Sequence, residues 1–268
     1  MSNHVNEGMI VCIHAENGRI KQSAEHADNI KMNIKKPYEA GDYISINVRK
    51  WPTALRISFD KTRPAANIWL TSDRMEFQIP FGKETEAYPR GAFQADNSEI
   101  TVAAISGEIW EEYGNLSENP WDRRGETSCY PHCRANVETR DESVFAARNT
   151  IDGVTENTCH GEWPYQSWGD AENLEAEIII EFGRMVWIDK AVIHLRADFP
   201  HDNYWKEAVL VCSDGSTEVL HLKKTRDAQE IHLIPRKVEW VKLKGMVRGE
   251  KESAFPALTQ WAFYGKNG

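Results

Sequence analysis

The sequence predicts an all-β protein of two β-sandwiches, and three observations carry that prediction. Apolar residues recur at every second position, helical periodicity is scarce, and turn dipeptides punctuate the apolar runs at sandwich-like intervals. The chain has 268 residues. That is more than one small sandwich normally uses and enough for two domains that each bury a core.

The alternation is clearest at Ile44, Ile46 and Val48, at Leu55, Ile57 and Phe59, and at Ala176, Ile178, Ile180 and Phe182. Ile231 and Leu233 repeat it against Glu230 and His232. Such a period of two places one face of a strand inward and the other in water. Further strands are expected over residues 9–13, 68–70, 75–79 and 100–105, and near the end over 257–265. Asp152-Gly153, Phe182-Gly183 and Asp214-Gly215 read as turns. The best helical signal is residues 143–148, one or two turns with Ser143 as a cap.

Between residues 113 and 140 the pattern lapses into Gly, Asn, Pro, Asp and paired arginines, the composition of a surface connector. The expected domains are therefore 1–130, a sandwich of unassigned role, and 131–268. Within the connector Cys129, His132 and Cys133 lack a second Cys/His pair at zinc spacing and read as a linker feature.

A net charge of -9, with no basic cluster beyond paired residues, argues against a nucleic-acid groove. Five cysteines at irregular spacing do not form a disulfide framework. Neither a membrane span nor a signal peptide is visible, so the expectation is a cytoplasmic chain, or a secreted or surface one whose leader has been removed. No nucleophile elbow, phosphate loop or zinc-protease motif is present.

The segment 146–168 contains an Ala-x-x-x-x-Asp-Gly-x-x-x-Asn-Thr pattern from Ala147 to Thr158. With the strand ending at Gly183, the Ser213-Asp214-Gly215 turn and the closing strand, it resembles the coagulation-factor type-C, or discoidin, family over residues 135–266. The resemblance implies a galactose-binding-like jelly roll, a fold shared with many bacterial carbohydrate-binding modules. It also implies a structural calcium on the Asp152 carboxylate and the oxygens of Asn157 and Thr158. Gln260 stands where the family usually carries a glutamate, removing one formal charge from that set. An Asp-Gly loop suits a cation that takes six to eight oxygens, and a plain tight turn is the alternative.

A second loop carries Arg196, Asp198, His201, Asp202 and Tyr204. Sugar recognition needs planar donors and acceptors plus an aromatic face for the C–H surface of the ring. Arg196, Asp198, His201 and Asp202 supply the first, and Trp163, Tyr165, Trp168, Tyr204 and Trp205 are candidates for the second, Trp163 foremost. An Arg196–Asp198 ion pair is the bland alternative, and Trp168, Trp240 and Trp261 are expected in the core. The function expected is noncatalytic binding of a saccharide or glycan end by tip loops of the C-terminal jelly roll. A carbohydrate-active enzyme with its chemistry on the N-terminal sandwich and a protein-interaction module are the rivals.

Overall fold

The computed structural model describes residues 8–94, 98–249 and 253–268. Its N-terminal strands are β1 (Met9–His14), β2 (Ile20–His26), β3 (Asn29–Asn33), β4 (Tyr43–Val48), β5 (Thr53–Ser58), β6 (Ala66–Leu70), β7 (Arg74–Gln78) and β8 (Glu99–Ala104). Two-residue strands β9 (Gly114–Asn115) and β10 (Cys129–Tyr130) follow. One antiparallel sheet has the order β2-β1-β4-β7, and the facing sheet the order β10-β6-β5-β8-β3. Alternation does what it predicts: Ile30 and Met32 of β3, and Met75 and Phe77 of β7, point inward while their neighbours are exposed. At the centre Phe59, Phe77 and Trp121 meet at ring-centroid distances of 4.8, 5.4 and 6.1 Å. Rings of this size each contribute about 1.5–3 kcal/mol by leaving water.

The C-terminal sandwich comprises β11 (His132–Ala135), β12 (Trp168–Gly169), β13 (Ile178–Leu195), β14 (Trp205–Cys212), β15 (Thr217–His221), β16 (Gln229–Arg248) and β17 (Ala257–Asn267). Strands β13 and β16 pair with each other on both sides of a register shift between Glu181 and Val186. Residues 178–181 of β13 pair with β11, and residues 186–195 pair with β17. The later part of β16 pairs with β14, which in turn pairs with β15. The Phe182-Gly183 dipeptide, expected to be a turn between strands, is instead a kink inside β13. Gly183 adopts φ +65°, and a Cβ there would lie 2.3 Å from the Tyr130 ring, so no larger residue fits without displacing that ring.

Residues 143–148 also differ from expectation. They form two short 3₁₀ turns, Ser143–Phe145 and Ala147–Ile151, and Ser143 caps neither. Its hydroxyl donates instead to Lys83 O (2.8 Å) in the N-terminal half. Trp168 and Trp261 are buried as expected, whereas Trp240 is only half-buried.

Sheet membership changes between Tyr130 and His132, but the two cores interleave. Strand β9 pairs with β17 and Leu116 joins the C-terminal core; Trp121 and Cys129 then pack in the N-terminal core. Cys133 returns to the C-terminal core, Val144 and Phe145 to the N-terminal one, and Ala147 and Ile151 to the C-terminal one. Within this connector His132 Nδ1 lies 2.7 Å from Asp122 Oδ1, and Cys133 N donates to Asp122 Oδ2 (2.8 Å). Burial works against the imidazolium of His132, but the Asp122 carboxylate outweighs it and raises the pKa above its ordinary value.

Candidate functional site

Asp152 ends the 3₁₀ turn Ala147–Ile151, and its carboxylate is wholly enclosed. Oδ1 accepts from Val154 N (2.9 Å) and Gln260 Nε2 (2.8 Å), and Oδ2 accepts from Gln166 Nε2 (2.7 Å). Arg63, from the loop between β5 and β6, brings Nη2 to 3.1 Å from Oδ2, and its side chain is 1% exposed. The same guanidinium donates to Asp152 O (3.1 Å). It also lies 5.3 Å from the Tyr88 ring centroid and 5.2 Å from that of Trp163. Burial pulls the pKa of Arg63 down, opposed by the Asp152 carboxylate beside it.

These positions do not fit the calcium cage that the resemblance implies. Gln260 turns its amide nitrogen, not its oxygen, toward Asp152, an orientation set by two further acceptors, Asn149 O (2.7 Å) and Thr259 O (2.9 Å). Asn157 directs Nδ2 away, to Leu195 O and Arg226 O (both 2.8 Å). Thr158 is exposed. Both carboxylate oxygens of Asp152 already accept from donors, and the positive charge beside them is Arg63. A hard cation seeking six or more oxygens finds one carboxylate here, already saturated.

Trp163 is drawn to the same seam. Its N–H donates to Glu86 O (2.8 Å) and its ring lies against Arg63, so it is a half-buried contact between the two sandwiches rather than an exposed platform. Tyr204 also leaves the expected tip: it packs against the C-terminal core, and its ring closely approaches Gly249.

The remaining tip residues do converge. Arg196 and Asp202 form a buried two-pronged ion pair, Nε to Oδ2 at 2.8 Å and Nη2 to Oδ1 at 2.5 Å. Asp202, not Asp198, is therefore the partner of Arg196. Asp198 N also donates to Asp202 Oδ2 (3.0 Å), so this pair fixes the loop from inside. That leaves the Asp198 side chain facing outward, where Oδ2 meets His160 Nδ1 at 2.8 Å. His160, His201 and Phe255 stack as a column, with centroid separations of 4.5 and 5.5 Å and interplanar angles of 9° and 13°.

Beside this column opens a cleft of about 360 Å³, lined by Arg140, Phe145, His160, Asp170, His201 and Phe255 among others. Phe255 is half exposed. The Arg140 guanidinium lies 5.0 Å from the Phe145 ring and is held by Glu142 through two 2.8 Å bonds. Asp170 lies in the wall, where burial raises its carboxyl pKa despite donors from Glu172 N and Trp205 Nε1. Backbone strain gathers here. Arg140 and Asp141 (φ 54° and 55°) and Ala171 and Glu172 (φ 47° and 62°) are two left-handed pairs at the border of the cleft. Such residues each cost on the order of 1–3 kcal/mol and persist where the surroundings or a function demand them.

Sequence reasoning missed His160, Phe255, Arg140 and Asp170. His160 lies two residues past the end of the Asp-Gly pattern at Thr158, so that signal was within reach. Phe255 sits in a polar stretch with no periodicity to mark it.

No protein-family model and no curated protein matches this chain. Among solved structures it is similar to chitosan-binding module 1 of a chitosanase/glucanase from Paenibacillus sp. IK-5, at 17% identity and a TM-score of 0.38, over 57% of this chain and 99% of the module. It is similar to a Streptococcus pneumoniae fucose binding module, SpX-3, at 14% and 0.40, over 56% of this chain and 97% of that one. A third is the family 32 CBM from C. perfringens NanJ in complex with galactose, at 14% and 0.37, over 49% and 91%. Among the described residues no helix is long and apolar enough to cross a membrane.

Proposed function

We propose that this protein binds a saccharide, without chemical change, in the cleft beside the His160–His201–Phe255 column. The observation that carries the reading is the composition of that cleft: a half-exposed aromatic ring next to planar charged groups, bordered by two strained loops. A pyranose presents an apolar C–H face and a rim of hydroxyls, and this wall offers a surface for each. Arg196 borders the cleft, and Asp202 holds its guanidinium through two bonds, so the pair both fixes the loop and forms part of the wall a ligand meets. Affinity is expected to be weak, with Kd on the order of 0.1–1 mM, because hydroxyls exchange water for protein at small net gain.

Titration calorimetry with chitotriose, galactose and fucose tests the reading. Phe255→Ala is expected to weaken binding about five-fold, the equivalent of roughly 1 kcal/mol of lost ring contact, and Glu172→Gln by a similar factor. If none of the three binds, or if binding is unchanged in both variants, the reading is overturned.

A further inference from the structure

The geometry points to a transition-metal site of the zinc class at Cys159, His160 and Asp198, on the outer rim of the cleft. The Cys159 thiol sulfur, an imidazole nitrogen of His160 and a carboxylate oxygen of Asp198 all lie within 4.8 Å of one another. Ligands around a tetrahedral zinc ion, at about 2.0–2.3 Å from the metal, are separated by about 3.2–3.8 Å, so modest side-chain rotation closes the set. All three sit on loops, and Cys159 and His160 are exposed, which lets them move without disturbing a core.

The donor chemistry is specific. Sulfur, imidazole and carboxylate together suit zinc and its neighbours, whereas calcium and magnesium prefer oxygen alone. Asp198, His201 and Asp202 form a second such group, but both oxygens of Asp202 are already taken by Arg196. The stacked rings of His160 and His201 also cannot both aim their lone pairs at one ion, since a metal binds in the ring plane. The site therefore has three protein ligands and a fourth position open to water. Of the five cysteines, Cys12, Cys129, Cys133 and Cys212 are buried, which leaves Cys159 as the thiol that solvent metal can reach. On binding, the thiol proton passes to solvent as the sulfur–metal bond forms; no oxidant or reductant is involved.

The consequence for the fold is a clamp. The metal would tie the loop after Asp152 to the loop after β13, the two loops that bring His160 and His201 to the cleft. The site does not depend on the saccharide reading, and its test uses no sugar.

Cobalt(II) is the probe, added to the whole protein with its thiol kept reduced by a phosphine. One equivalent is expected to give a near-ultraviolet thiolate-to-cobalt charge-transfer band with visible tetrahedral bands, and zinc is expected to abolish both. Cys159→Ser removes the charge-transfer band, while His160→Ala and Asp198→Asn each weaken cobalt binding at least about ten-fold. Melting in metal-free buffer establishes that the variants fold; Cys159→Ser, a near-isosteric change at an exposed position, is informative on its own. Absence of the thiolate band in the wild type, or a titration unchanged in all three variants, overturns the proposal.

Discussion

Replacing Arg63 with methionine keeps a long apolar stem in place and removes the charge beside Asp152. Both groups are enclosed, with side chains 1% and 0% exposed, so solvent does not screen their interaction. Breaking such a pair from one side costs about 3–5 kcal/mol. Two features move the expectation to the low end. Asp152 keeps Gln166, Gln260 and Val154 N–H as donors, and Arg63 no longer repels the buried guanidinium of Arg148, which stacks on the same Tyr88 ring at 4.6 Å. A loss of about 3 kcal/mol follows, corresponding to a fall in Tm of roughly 6–12 °C for a chain of this size. Asp152→Asn leaves the buried Arg63 without its carboxylate, with the Arg148 charge still beside it, and is expected to cost at least as much. Urea denaturation followed by tryptophan fluorescence measures all three variants. The double variant Arg63→Met/Asp152→Asn should lose less than the sum of the singles by more than about 1.5 kcal/mol. Strict additivity, or a single-variant cost below about 1 kcal/mol, would refute the argument that this pair locks the two halves together. In the same experiment calcium should leave the wild-type unfolding free energy unchanged, since a ligand at a hundred times its Kd would add about 2.7 kcal/mol.

Because His132 is held above its ordinary pKa of 6.5 by Asp122, its protonated form stabilises the folded state, fully so below that value. Wild-type stability relative to His132→Gln is therefore expected to decline as pH rises past 6.5 through the raised folded pKa, as read by urea melts at successive pH values; a difference that grows with pH would contradict it. Gly183→Ala places a methyl group against the Tyr130 ring at a positive φ and is expected to cost about 2–4 kcal/mol in thermal or chemical melts.

Strands with one buried face were legible in the sequence because burial imposes a period of two, as in β4 and β5. Strand β2 was not, because most of its residues are partly or fully exposed and its composition, Ile-Lys-Gln-Ser-Ala-Glu-His, carries no apolar alternation. The kink at Gly183 read as a turn because glycine marks both, and only the long pairing of β13 on either side distinguishes them. At the tip, the loop bearing Arg196, Asp198, His201 and Asp202 was found from its composition. The partner of Arg196 was not, since Asp198 and Asp202 are equally reachable until the loop is folded. Trp163 turned inward for a reason invisible locally: its partner Arg63 lies one hundred residues earlier, in the other sandwich. The misfit for calcium has the same origin.

The interleaving of the two cores has a consequence for the order in which the nascent chain can mature. Trp121, Cys129, Val144 and Phe145 all belong to the first core. A ribosome that has released only the first hundred or so residues has therefore produced an N-terminal sandwich lacking four of its buried side chains. Domains usually complete in turn as they emerge. Here the first must wait, its centre open around Phe59 and Phe77, until residue 145 has left the exit tunnel. By then β9 and β11 have also emerged, but their partners β17 and β13 have not. A genetic cut anywhere between residues 116 and 151 removes side chains from one core or strands them outside the other, so these halves do not separate into portable modules as a bead-on-a-string protein would.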